Sequence, residues 1–223
     1  MRPIVTPAKG MNINPYPKGN VYQGHSENID LYRNAINIPK CGLSDCKMNG
    51  HNGIDIAMAE GTPICATEGL VVEVKDTPTG YGKHIRILTD PDERGDRWEL
   101  TYGHLKDIYT ALGMRVRDEQ VIGSMGNTGF VISGSTAYWG NAPAGKGVHL
   151  HLTARPACDN RTDWMTTYAT GQNVYLKEYN NGTFGSIDPL PYIREYIENQ
   201  IKAKQNILIL ILKQFLGLLT KGR

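Results

Sequence analysis

Between Gly53 and Arg155 the chain repeats one short pattern, in which an apolar residue alternates with a polar or glycine neighbour. Ile64 pairs in this way with Ala66, Ile85 with Ile87 and Leu100 with Tyr102, while Leu70, Val71, Val72 and Val74 form a denser run and Val148, Leu150 and Leu152 a longer one. A period of two belongs to a strand with one face on a core and the other face polar. Glycine-bearing turns separate the runs, at Glu60-Gly61-Thr62-Pro63, Thr79-Gly80-Tyr81-Gly82 and Asn127-Thr128-Gly129, and no apolar run at helical spacing interrupts them. The pattern predicts an all-β core, an antiparallel β-sandwich or open barrel.

The flanks differ. Residues 1–39 are rich in Asn, Pro and Tyr without a sustained period, which predicts an irregular N-terminal arm draped over the core, with the domain proper at 40–191. Two stretches inside that domain, Phe130 to Gly147 and Asp159 to Gly185, are Gly-, Ser- or Tyr-rich and are expected to loop out. After Asp188-Pro189-Leu190-Pro191 the period changes. Ile197, Ile201, Lys204, Leu208, Ile211, Phe215 and Leu218 alternate at spacings of four and three, predicting a C-terminal helix over 192–223 with a coiled-coil-like seam.

Composition sharpens this picture in three respects. A chain of 223 residues with 40% hydrophobic content buries a core without disulfide staples. Lys and Arg number 24 against 22 Asp and Glu, too balanced for a chain that holds a nucleic acid by charge. The tail holds six Lys and Arg against two Glu, so it carries +4 and the rest −2. Its stretch Ile207 to Leu212 is apolar all round, and Ile207 to Leu219 is too short to span a bilayer. The tail is therefore expected to self-associate or to lie on a membrane or anionic wall surface. Met1 to Pro17 has no apolar signal-peptide core, so an extracytoplasmic role implies another export route, such as a lysis pore or packaging in a virion. Of four cysteines, Cys41 and Cys46 would form a local bridge under oxidising conditions, and Cys65 reads as a buried thiol.

Four of the six histidines carry the chemistry. In a strand, His149 and His151 share one face while Val148, Leu150 and Leu152 take the other, so both imidazoles look into a common groove beside a packed core. His51 and Asp55 would lie about 13 Å apart in an extended chain, too far to share a metal. Asn52-Gly53 between them supplies a bend, and the alternation of Ile54, Ile56 and Met58 continues as a strand. With His104 after Gly103, these residues offer His, Asp and His, a set of ligand types that zinc accepts with one position left open.

Their order and context resemble the lysostaphin-type, or LytM-like, zinc endopeptidases of peptidoglycan. The resemblance runs through Gly50-His51-Asn52-Gly53-Ile54-Asp55-Ile56-Ala57, Glu60-Gly61-Thr62-Pro63-Ile64, Gly69-Leu70-Val71, Gly80-Tyr81-Gly82-Lys83-His84-Ile85, Tyr102-Gly103-His104-Leu105, Gly126-Asn127-Thr128-Gly129 and His149-Leu150-His151. It implies a lysostaphin-type β fold and one zinc per chain held by His51, Asp55 and His151. It also implies His104 and His149 as the catalytic pair, and hydrolysis of peptide stems or cross-bridges of bacterial peptidoglycan; the missing signal makes a phage or virion-associated lysin the expected kind. A non-catalytic wall-binding module on the same fold, a tail component or hydrolase activator, is the competing expectation. So is a zinc carboxypeptidase trimming terminal D-Ala.

Two departures from the family pattern are insertions, one at Cys41 to Asn49 before His51 and one at Phe130 to Val148 between the Thr-Gly turn and His149. The second is expected to wall the cleft, with Tyr138 and Trp139 as candidate substrate contacts and His25 of the arm as another. His84, on the charged face of its strand, reads as an exposed residue without a role.

Overall fold

The computed structural model describes residues 1–14, 19–34, 48–159 and 164–221; Cys41 and Cys46 lie outside the described residues. In chain order the arm contributes β1 (Val21–Gln23) and α1 (Ile29–Asn34). The domain then runs through β2 (Ile54–Ile56), β3 (Pro63–Cys65), β4 (Gly69–Lys75), β5 (His84–Leu88), β6 (Asp96–Gly103), β7 (Leu105–Ile108), β8 (Arg115–Val116) and β9 (Val121–Met125). It continues with β10 (Val131–Ser133), β11 (Thr136–Tyr138), β12 (Leu150–Cys158), β13 (Trp164–Thr167) and β14 (Asn173–Leu176), and α2 (Leu190–Lys221) closes the chain.

Nine strands form one antiparallel sheet with the main order β1-β2-β12-β6-β5-β4-β8, the β13–β14 hairpin pairing with the far end of β12. A second sheet, β3-β9-β7, packs against it. The core lies between them, joining Ile54, Ile85, Leu100 and Leu150 of the large sheet to Ile64, Leu105, Ile122 and Met125 of the small one. This is the antiparallel β architecture that the alternation predicts.

Register decides which side chains meet on the other face. Pairing of β12 with β6 sets Leu152 opposite Tyr102 and Ala154 opposite Leu100 on the core side, so His151, Thr153 and Arg155 stand opposite Gly103, Thr101 and Glu99 on the polar side. On the other edge of β12, β2 sets Asp55 opposite His151.

The packing of the arm is defined, and three readings of the sequence change. The arm is integral to the packing: Ile4, Ala8, Met11, Ile13 and Val21 join the main core, the Cys65 amide donates to the Pro7 carbonyl and the Lys9 amide to that of Pro63 (2.9 Å each). Asp159 to Gly185 does not simply loop out, because β13 and β14 extend the sheet and Val174 and Leu176 join Val72, Leu88 and Ala157 in a second cluster. Likewise the insertion at 130–148 contains a hairpin, β10 with β11. His84 is 5% exposed rather than solvated, its Nδ1 donating to the Gly82 carbonyl (2.8 Å) and its Nε2 lying 3.2 Å from Glu73 Oε1 on the neighbouring strand.

Helix α2 begins where Asp188 Oδ1 accepts the Leu190 amide (3.0 Å), an N-cap followed by a proline-tolerant first turn. Leu190 and Ile193 enter the core, the Tyr192 ring meets Trp98 edge-on at 4.7 Å, and the Tyr196 hydroxyl donates to Glu119 (2.7 Å). Only these first turns dock on the body; Ile201 and the residues from Ile207 to Leu212 are exposed.

Candidate metal centre

At the bend, Gly53 passes so close to β12 that a Cβ there would lie 2.4 Å from the Leu152 carbonyl oxygen and 2.8 Å from His151 Nε2. Glycine therefore lets the chain fold back onto the strand carrying His151. His51 Nε2 comes within 3.2 Å of Asp55 Oδ1 and 2.9 Å of His151 Nδ1, and His151 Nδ1 lies 2.9 Å from the same carboxylate oxygen. All three side chains are buried, and one donor atom from each lies within 4.8 Å of the others.

Neighbouring atoms set the tautomers. His51 Nδ1 donates to the Gly24 carbonyl (3.1 Å), which can only accept, so in the neutral ring Nε2 presents a lone pair to the cluster. His151 Nε2 lies 2.9 Å from Thr153 Oγ1, a hydroxyl that can accept its proton, and with the proton there Nδ1 faces Asp55 as a lone pair. In these tautomers two imidazole lone pairs and a carboxylate oxygen converge with no proton between them. Such a set fits a divalent cation such as zinc, with Gly24 and Thr153 orienting its imidazoles from behind.

His104 and His149 stand beside this group, their ring centroids 4.5 Å apart, and His149 Nε2 is 3.6 Å from Asp55 Oδ1. Each ring is pinned in the same way, His104 Nδ1 donating to the Thr128 carbonyl and His149 Nδ1 to that of Gly147 (2.8 Å each), so in each ring Nε2 is the nitrogen that no main-chain carbonyl engages. His104 holds a left-handed backbone (φ 60°) immediately after β6, an uncommon conformation for a non-glycine residue. The motif glycines serve close packing here. A Cβ on Gly82 would sit 2.3 Å from the Thr128 carbonyl carbon and one on Gly129 2.3 Å from the Gly82 nitrogen, so this crossing carries the carbonyl that orients His104.

Burial and neighbours shape the charges. Burial alone would raise the Asp55 pKa, but His149, His151 and His51 outweigh it and hold the carboxyl well below its ordinary value. Burial lowers His151 to about 4 against the opposing pull of Asp55, and burial with the neighbouring His149 and His151 takes His104 well below 6.5. His104 and His151 are therefore neutral imidazoles at pH 7, the form that binds a metal or accepts a proton.

The remaining candidates lie further out. Trp139 is 63% exposed and packs on Phe130 at 5.2 Å, and Tyr138 ends β11 half-buried. Their loop is tied to the site, since the Gly129 amide donates to the Gly140 carbonyl (2.6 Å) and Asn127 Nδ2 reaches the carbonyls of Ala142, Pro143 and Lys146 (3.3, 3.0 and 2.9 Å). His25 is half-buried with both ring nitrogens engaged, Nε2 by Ser186 (3.1 Å) and Nδ1 by Ser26 (3.0 Å).

Residues to which the sequence analysis gives no part in the site complete the shell. The Tyr22 hydroxyl donates to Asp55 Oδ2 (3.2 Å), the Tyr32 ring stacks on His51 at 5.7 Å, and Tyr81 accepts from Asn52 Nδ2 (2.7 Å). Thr153 was available from the alternation of β12, two residues beyond His151 on the same face. Tyr22 and Tyr32 had no such signal, because only the docking of the arm brings them to the site.

The family described as Peptidase family M23 matches residues 49–163. The chain is 33% identical over 105 residues to the DD-carboxypeptidase/endopeptidase Mpg of Neisseria meningitidis, covering 47% of this chain and 20% of that protein. It is 37% identical over 82 residues to the peptidoglycan DD-endopeptidase ShyA of Vibrio cholerae, covering 36% and 18%. The aligned part thus spans about a fifth of the length of these curated relatives. Among solved structures, a catalytic-domain variant of the prophage-encoded M23 protein EnpA from Enterococcus faecalis shares 28% identity at a TM-score of 0.37, over 61% of this chain and 81% of that one.

Proposed function

The chain belongs to peptidase family M23, and on that premise we propose that it is a zinc-dependent endopeptidase hydrolysing peptide stems or cross-bridges of bacterial peptidoglycan. The observation that carries this reading is the convergence of His51, Asp55 and His151 beside two further imidazoles, His104 and His149, each held through Nδ1 by a main-chain carbonyl. His51 through Nε2, Asp55 through Oδ1 and His151 through Nδ1 would hold one zinc. When bound, zinc supplies a Lewis acid that polarises a peptide carbonyl and activates water.

The protein's own groups do the rest. His149 Nε2, an acceptor fixed by the Gly147 carbonyl, takes a proton from the attacking water and later returns it to the leaving amine. His104 faces His149 and shares this acid–base work, donating a hydrogen bond toward developing negative charge once protonated. The Tyr22 hydroxyl, by donating to the far oxygen of Asp55, keeps that carboxylate oriented. Tyr138 and Trp139 on the inserted hairpin, and His25 on the arm, are the proposed contacts to the substrate beyond the scissile bond. The names of the relatives, an endopeptidase and a carboxypeptidase/endopeptidase, support peptidoglycan as the substrate class.

The test is digestion of purified walls of several cross-bridge types, with chelator, without it and after zinc is restored, followed by mass analysis of the released peptides. Internal cuts that stop with chelator and return with zinc are expected. Release unaffected by chelator overturns the zinc mechanism. Wall binding without any cleavage assigns the chain to the non-catalytic class, and loss of terminal D-Ala alone makes it a carboxypeptidase.

A further inference from the structure

Past Ile197, helix α2 carries its apolar residues without any cover from the body. At 3.6 residues per turn, an apolar arc of roughly 200° runs from Ile207 through Ile211, Phe215, Leu208 and Leu212 to Ile209. Each of these six side chains is between 50% and 61% exposed. Lys202, Asn206 and Lys213 occupy the opposite side together with Leu210, which is 58% exposed. Among the described residues no helix is long and apolar enough to cross a membrane.

Charge selects the occupant of this arc. Beyond Glu198 the chain has no acidic residue, and it has five cations, Lys202, Lys204, Lys213, Lys221 and Arg223. A second copy paired along the segment beyond Glu198 would bring the same cations against these, with no Asp or Glu of that segment to pair with them, and would set Lys204 within the contact. The arc is also wider than the narrow stripe that a two-stranded coil buries. An anionic bilayer surface meets both demands. Its acyl region takes the apolar arc, its phosphates take the lysines, and Lys204 lays its aliphatic stem along the apolar surface while its ammonium reaches the headgroups.

We propose that residues 199–221 of α2 lie in the interface of an anionic lipid bilayer and tether the domain to it. The docked base fits this role. Tyr192 packs on Trp98, on the core side of β6, whereas the histidine cluster stands at the Gly103 end of that strand on its opposite face. The two points are about 16 Å apart along the strand. A chain held through α2 therefore keeps the face bearing His51, Asp55 and His151 free. This inference does not depend on which bond the proposed peptidase cuts.

Flotation of the full chain tests it, using vesicles of pure phosphatidylcholine and vesicles in which about a quarter of the lipid is phosphatidylglycerol. Binding about 100-fold tighter to the anionic vesicles is expected, by roughly the attraction of three lysines. Replacing Lys202, Lys204 and Lys213 together by Gln weakens that binding about 100-fold, at about 1 kcal/mol per lysine. The combined Leu208→Gln, Ile211→Gln and Phe215→Gln variant no longer floats, while circular dichroism and zinc content remain those of the parent. Flotation with neither vesicle, equal binding to both, or undiminished flotation of the apolar variant overturns the proposal. So does a chain that sediments as an oligomer and stays off the vesicles, which assigns the arc to a second copy.

Discussion

His51, His104 and His149 each fix their ring by donating Nδ1 to a main-chain carbonyl, whereas His151 is held through Nε2 by a threonine hydroxyl two residues along its own strand. This difference reverses the nitrogen that His151 presents, so that His51 and His151 converge on Asp55 from different directions. Loss of His151 removes one of three proposed ligands. Metal analysis of His151→Ala is expected to fall from one zinc per chain to near zero, and full retention would move the ligand set elsewhere. His104→Ala and His149→Ala are expected to keep their zinc and lose wall hydrolysis by about 10²-fold or more, the scale of a positioned acid–base group. Normal lysis by both would end the catalytic-pair reading.

At the scale of the element, the hairpin β10–β11 and the loop behind it, the proposed rim of the cleft, are what the sequence adds between the Thr128-Gly129 turn and His149. Asn127 clasps the loop through three carbonyls, and the Gly129 amide ties it to Gly140, one residue from the exposed Trp139. The metal set, in contrast, rests on β2, the bend before it and β12, which do not depend on the rim. Trp139→Ala, and a short Gly-Ser link in place of 131–139 that keeps Gly147, are therefore expected to change which wall types are cut and to leave zinc content as it is. Mass analysis of digests of the wall panel checks this, and an unchanged spectrum would make Tyr138 and Trp139 packing residues.

The whole molecule unites parts that look separate along the chain. Ile4 is fully buried in the same cluster as Leu100 and Ile193, so the first residues, the central sheet and the base of the last helix share one core. Ile4→Ala is expected to destabilise the protein by about 2–5 kcal/mol, the cost of a cavity in a packed core, although the residue belongs to a segment without regular pattern. Denaturant unfolding measures it. A cost below about 0.5 kcal/mol, the range of a surface site, would mean that the arm packs loosely.

Sequence by itself determined what depends on neighbours along the chain. Alternation in β5, β6 and β12 specified the strands and their buried face, because a pleated strand sends successive side chains to opposite sides. Asn52-Gly53 specified the bend, and the shift from a period of two to one of 3.6 after Asp188 specified the helix. Only the tertiary structure decided what depends on distant partners. His84 is buried because Glu73 on the adjacent strand and the Gly82 carbonyl satisfy its ring, and no spacing within Lys83-His84-Ile85 contains that information. Tyr22 and Tyr32 reach the histidines because β1 pairs with β2, and α2 divides at Ile197 because the core surface it docks on ends there. Local pattern encodes which face of an element is apolar; the partner that covers it, or leaves it bare, follows from how the elements come together.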